Sequence, residues 1–194
     1  MSIINYLSDK VLGGGGVVHG SDGRLNTSSR SDARIYYNSR DASEAYSLAY
    51  DDAACSAGDY IVSLFNNRSD TQHLVIHAAT ANSDVAADFK LSIVEGTAAG
   101  GAVSATPTHL NRGGFEAKAQ AIATTVANSD SSPISGLTEI VEIDHEGCGA
   151  NGHVEFKVDD SVRLGPGQGI AIEKDGGASG RAFGVIFFYY EDPK

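Results

Sequence analysis

The stretch Asp144-His-Glu-Gly-Cys-Gly-Ala-Asn-Gly-His153 holds the densest set of side chains able to do chemistry. His145, Cys148 and His153, with Glu146 or Asp144 as a fourth donor, are the ligand types of a tetrahedral zinc site. Their spacing matches no standard finger pattern. Cys148 beside a histidine has the ingredients of a thiolate nucleophile. Such pairs are normally assembled from distant parts of a chain, and no oxyanion-stabilising feature adjoins this one. With three glycines among the ten residues, the expectation is a loosened hairpin loop that holds no metal.

Other constellations are weaker. His73 and His77 lie four apart; on a strand they are about 13 Å apart by rise, too far for one ion. Asp51-Asp52 and Asp159-Asp160 are acidic pairs that read as solvated turn carboxylates, without the loop of oxygen ligands of a calcium site. Gly13 to Gly16 resemble half a phosphate loop, but no Gly-Lys-Ser/Thr follows. The Gly-x-Ser-x-Gly, His-Glu-x-x-His and dinucleotide-binding glycine patterns are absent. The expectation is therefore a protein that is not an enzyme and uses no cofactor.

The elements that would carry these residues are short strands. Tyr46, Leu48 and Tyr50 alternate with small residues, and Tyr60-Ile-Val-Ser-Leu-Phe65 is a dense apolar run closed by Asn66-Asn67. His73 to Ala79 follows, then Phe89, Leu91 and Ile93, which alternate with polar residues as in a strand with one buried face. Leu137 to Asp144 and His153 to Val158 continue the series. Residues 115–126 are helical in composition but alternate as a strand does, and are read as strand. Residues 95–114 and 127–136, rich in Gly, Ala, Ser and Thr, are read as loops. Strands of five to eight residues between Gly/Asn/Asp turns predict an all-β fold, an antiparallel β-sandwich or jelly roll.

The strongest strand signal closes the chain. Ile170 and Ile172 precede a turn at Gly176-Gly177 and Gly180, which reads as a hairpin connection. In the next strand Phe183, Val185, Phe187 and Tyr189 point one way, and Ile186, Phe188 and Tyr190 the other. A strand apolar on both faces belongs in the centre of a sandwich with its second face covered. Ile186, Phe188 and Tyr190 are expected to form that second face, an oligomer interface.

Charge divides the chain unevenly. Of 194 residues, 1–40 hold five Lys/Arg against three Asp, and the remainder holds nine against 22 Asp/Glu, for a net of −11. An acidic body argues against nucleic acid as a partner. Residues 1–34 read as an extended Gly/Ser-rich attachment arm, and 35–194 as the body. The arm's apolar tip, Ile3, Ile4, Tyr6 and Leu7, would seat on a partner, with Arg24, Arg30 and Arg34 facing acidic surface. No apolar run approaches the length of about 18 residues that a membrane span needs. No basic region with a long apolar core opens the chain, so a secretory signal is not expected. Without export, Cys55 and Cys148 are expected to be free thiols.

Several stretches together resemble a known kind of protein: Asn66-Asn-Arg-Ser-Asp70, Ala81-Asn-Ser-Asp84, Thr106-Pro-Thr-His-Leu-Asn-Arg-Gly-Gly114, Leu164-Gly-Pro-Gly-Gln-Gly-Ile-Ala-Ile172 and Phe183-Gly-Val-Ile-Phe-Phe-Tyr-Tyr-Glu191. The set is similar to small virion proteins of tailed bacteriophages, of the type that decorates or cements the capsid, and covers residues 60–190 in style. That resemblance implies a homo-oligomer, most simply a trimer, bound to the major capsid protein. Such a protein is assembled in the host bacterial cytoplasm and carried on the virion. The alternative it leaves is a tail, fibre or head-spike module that binds host surface glycans.

Overall fold

The computed structural model describes residues 45–66, 72–99, 102–110, 123–128 and 135–191. The expected arm, with Ile3, Ile4, Tyr6, Leu7, Arg24, Arg30 and Arg34, and the expected body boundary at Ile35 lie outside them. The described residues contain no helix. Their strands are β1 (Ala45–Cys55), β2 (Asp59–Asn66), β3 (His73–Ser83), β4 (Ala87–Ala99), β5 (Ala102–Ala105), β6 (Thr108–His109), β7 (Ala123–Asn128), β8 (Ser135–Cys148), β9 (Gly152–Phe156), β10 (Val162–Leu164), β11 (Gly169–Gly177) and β12 (Gly180–Glu191).

They form two antiparallel sheets. In the first, β12 lies between β1 and β3, with β6 beyond β1 and both β9 and β10 on the far edge of β3. The second runs β5-β7-β2-β11-β4-β8. The pairing is nested: β1 with β12, β2 with β11, β3 with β9 and β10, β4 with β8. A chain folded back on itself and then wound as a two-stranded ribbon gives this order, which is the jelly-roll winding. The expected β-sandwich is what the chain forms.

The core is the space between the sheets. From β12 it takes Ala182, Ile186, Phe188 and Tyr190; from β1, Tyr46 and Leu48; from β2 and β11, Val62, Leu64, Ile170 and Ile172. Aromatic rings close one end. Tyr46 stacks on Phe188 with centroids 5.4 Å apart, and meets the edges of Tyr190 and His109 at 6.2 Å and 5.1 Å. Gly184 sits in the same inner row because the sheets approach closely there: a Cβ on it would lie 3.0 Å from Val62 of the opposite sheet.

The expected hairpin at Gly176-Gly177 is instead a corner. β11 and β12 belong to different sheets, so the turn carries the chain across the sandwich. Among the three glycines only Gly177 has a positive φ, of 94°. A side chain there would also meet the Ala86 carbonyl oxygen at 2.2 Å. The Gly/Ala/Ser/Thr-rich segments read as loops contain the end of β4, then β5 and β6, and further on the end of β7 and the start of β8. These strands are held by backbone ladder bonds to neighbours, which leave no apolar period in the sequence.

At each end of the sandwich a buried polar side chain ties two corners together. At one end the β1–β2 and β11–β12 corners lie side by side. Lys174 is fully buried there, and its ammonium donates to the carbonyls of Cys55 at 3.1 Å and Ala178 at 2.7 Å. At the other end, buried Asn66 donates from Nδ2 to the carbonyls of Gln72 and Leu164, each at 2.9 Å. Both side chains satisfy carbonyls that the ladders release where the chain changes sheet.

Lys174→Met and Asn66→Ala should each cost about 2 kcal/mol, because buried carbonyls lose their donors. In a chain of this length that lowers the melting temperature by roughly 4–8 °C. Lys157→Met, at an exposed position, should leave it unchanged. Scanning calorimetry showing no difference among the three variants would refute the tying role.

Candidate functional site

The fold separates the residues of the 144–153 stretch. Asp144 to Cys148 are not a loop but the last turn of the β8 ladder, and only residues 149–151 form the turn into β9. His145 lies opposite Lys90 on the second sheet, whereas His153 lies opposite Asn82 on the first. Cys148 packs against the core beside Ala87. Asp144 accepts from the backbone amides of His145 and Lys157 at 3.0 Å and 3.1 Å. Among the described residues no group of three or more His, Cys, Asp or Glu could hold a metal ion.

The other pairs are also dispersed. Between His73 and His77 the β3–β12 register shifts, and His77 is skipped in the ladder. Its Nδ1 lies 3.0 Å from Asp160 Oδ1. Asp51 and Asp52 stand in β1 rather than in a turn. Asp52 is buried and accepts from the Ala54 amide at 3.0 Å, while Asp51 is bonded by both Nε and Nη2 of Arg181. Those bonds hold the Asp51 carboxyl below its usual range and the Arg181 guanidinium above its own. The cysteines are unpaired. Cys55 is fully buried, and that burial, reinforced by Asp52 and Asp59, pushes its thiol up to about 12.

The two outer sheet faces differ in chemistry. On the second sheet, cross-strand partners place Tyr60, Glu173, Lys90 and His145 in one row over β2, β11, β4 and β8. Lys90 Nζ lies 3.0 Å from Glu139, 3.2 Å from Glu173 and 3.4 Å from Asp175, and His145 Nε2 lies 3.5 Å from Asp175. Burial pulls the Lys90 ammonium down, but its bonds to Glu139, Glu173 and Asp175 outweigh this and raise it. Burial raises Glu173 in spite of Lys90. Beside this network Phe65, Val94 and Ala171 form a small buried cluster with Tyr60 and Leu137.

On the first sheet the outer row of β12 is apolar. The faces of β12 are the reverse of the expected assignment. Ile186, Phe188 and Tyr190 point into the core and are buried, so they are not a surface at which another subunit could dock. Phe183, Val185 and Phe187 point outward and are half-buried, and the row ends at Tyr189, which is buried. A period of two separates the rows but does not say which one faces the opposite sheet. Beside the outer row stand small side chains: Ser47 and Ala49 on β1, Ala78 and Thr80 on β3. The Phe187 ring therefore stands above its cross-strand neighbours.

The Phe183 end of this row opens into a cleft of about 620 Å³. Asp51, Phe183, Asn82 and His153 are successive cross-strand partners on β1, β12, β3 and β9, and all four line it. Arg181 stands at one side, and Asp84 and Asn151 at the corner end. Asn151 adopts a φ of 57°. The sequence offers no local sign of this grouping, since its members come from four separated segments. Comparison with protein-family models and with curated proteins returns no match.

In the native protein at pH 8, iodoacetamide should label half-buried Cys148 and spare Cys55, whose thiol is both enclosed and protonated. Mass spectrometry of the tryptic peptides reads this directly. Equal labelling of both cysteines would mean that the Cys55 environment opens in solution.

Proposed function

We propose that the chain is a structural virion protein of the capsid decoration or cement type, a homo-oligomer that binds the head lattice of a tailed bacteriophage. One observation carries this reading furthest. The outer face of the first sheet presents the apolar row Phe183, Val185 and Phe187, the last two among small neighbours, while the second sheet's outer face carries the Lys90 ion network. Half-buried aromatics on an outer sheet face suit contact with another protein body, because their further burial against a partner is favourable and the small side chains beside Phe187 allow close approach. The jelly-roll winding is compatible with such a role, although it serves other functions as well. The resemblance of residues 60–190 to capsid-decorating proteins supplies the identity of the lattice.

In this reading the outer row of β12 packs against sister subunits, most simply in a trimer, and the segment preceding β1 reaches the major capsid protein. The role is non-catalytic.

Two measurements test this. Phe187→Asp should dissociate the oligomer in light scattering and leave the melting temperature within a few degrees, whereas Phe188→Asp should unfold the chain by burying an uncompensated charge. An unchanged mass for Phe187→Asp would remove the proposed interface. Quantitative mass spectrometry of purified particles should find a copy number comparable to that of the major capsid protein. A handful of copies per particle would move the protein to the tail.

A further inference from the structure

The cleft across β1, β12, β3 and β9 has the chemistry of a ligand site. Its floor is the ring of Phe183, half-buried and without an aromatic partner among the described residues. Around it the side chains of Asn82, Asp84, Asn151 and His153 make no hydrogen bond among the described residues. Asn82, Asn151 and His153 are planar groups that both donate and accept, and the Asp84 carboxylate accepts. Asp51 and Arg181 are already bonded to each other, so their charges cancel. The remaining full charge is that of Asp84, which makes the cleft mildly acidic.

Each feature excludes a class of ligand. An anion such as phosphate or a nucleotide would find its one cation, Arg181, occupied, and Asp84 opposed to it. A metal ion would find no group of three ligands. A purely apolar ligand would leave the polar rim unsatisfied. A neutral molecule with hydroxyls along its edges and an apolar C–H face fits all of the lining groups. The hydroxyls can exchange donor and acceptor bonds with Asn82, Asn151 and His153, and the C–H face can lie on the Phe183 ring. The row from Asp51 to His153 crosses three strand spacings, about 14 Å, which suits several linked rings better than one.

We infer that this cleft binds a neutral oligosaccharide, with Phe183 as the stacking floor and Asn82, Asn151 and His153 as the hydroxyl partners. Its place in the fold suits recognition at a surface. It lies at the end of the sandwich where residues 56–58, 84–86, 149–151 and 178–179 change sheet, and β1 begins at the opposite end. The inference does not depend on the capsid reading, because the ligand is recognised by a single chain.

The test is saturation-transfer NMR on the full chain with maltotriose, cellotriose and N,N′,N″-triacetylchitotriose, and with sialyllactose as the anionic comparison. Transfer to at least one of the three neutral sugars is expected, stronger than to sialyllactose. Phe183→Ala should weaken that binding roughly fivefold to tenfold through loss of stacking. His153→Ala, at an exposed position that does not endanger folding, should weaken it measurably as well. Glu155→Ala, on the same strand but outside the cleft lining, should not. The inference fails if none of the three neutral sugars shows transfer. It also fails if sialyllactose is preferred, or if binding survives His153→Ala and a folded Phe183→Ala unchanged. Loss of sugar binding in variants that still assemble on capsids would separate this site from the structural role.

Discussion

A two-stranded ribbon wound into a sandwich can leave one sheet for the other only where both of its strands turn together, and the buried ammonium of Lys174 sits at such a place. There β1 passes to β2 as β11 passes to β12, and one cation accepts the task of bonding a carbonyl from each corner. Asn66 does the same at the opposite end with an uncharged amide. Turning corners interrupts the ladder, and each interruption leaves backbone acceptors in a region too enclosed for water to satisfy. A hydrophobic side chain at either position would fill the space and leave those acceptors without partners. The jelly roll therefore depends on these two buried polar residues as well as on its apolar core.

Between those ends, β12 is the strand on which both the stability and the proposed activity rest. It is paired on both sides, to β1 and to β3, so every outward and inward position is flanked. Its inner row runs from small to large, Ala182 and Gly184 giving way to Ile186, Phe188 and Tyr190. Its outer row supplies Phe183 to the cleft and Val185 and Phe187 to the exposed face. One strand thus links the packing of the core to the surface proposed for partners, and the parity of a position decides whether its side chain faces the core or the outer face.

The distribution of charge follows the same division. The second sheet places Lys90 among Glu139, Glu173 and Asp175, which concentrates acid on one face and partly neutralises it. The β8 edge beside it carries further acid in Glu142, Asp144 and Glu146, together with register shifts that interrupt the ladder. Both features discourage edge-to-edge pairing with another chain. The same edge strand also exposes the apolar side chains of Ile140 and Val141.

The fold class was legible in the sequence because alternation with a period of two is a local property, written in runs such as Phe89, Leu91, Ile93 and Ile170, Ile172. The buried strands β1 to β4 and the two-sided apolar character of residues 183–190 followed from the same local reading. The sense of β12 did not. Which of its two rows meets the opposite sheet depends on where β1 and β3 pair with it, a matter of register between segments far apart in the chain. The corners were equally hidden: a glycine-rich turn looks alike whether it joins two paired strands or carries the chain between sheets. The 144–153 stretch shows the converse, since its neighbours in sequence end on different sheets, while Asp51, Asn82, His153 and Phe183 are brought side by side. Local patterning determined that this chain would be a β-sandwich. Only the pairing of distant strands decided which side chains line its core, its face and its cleft, because a strand's backbone bonds fix its neighbours without leaving any mark on its own sequence.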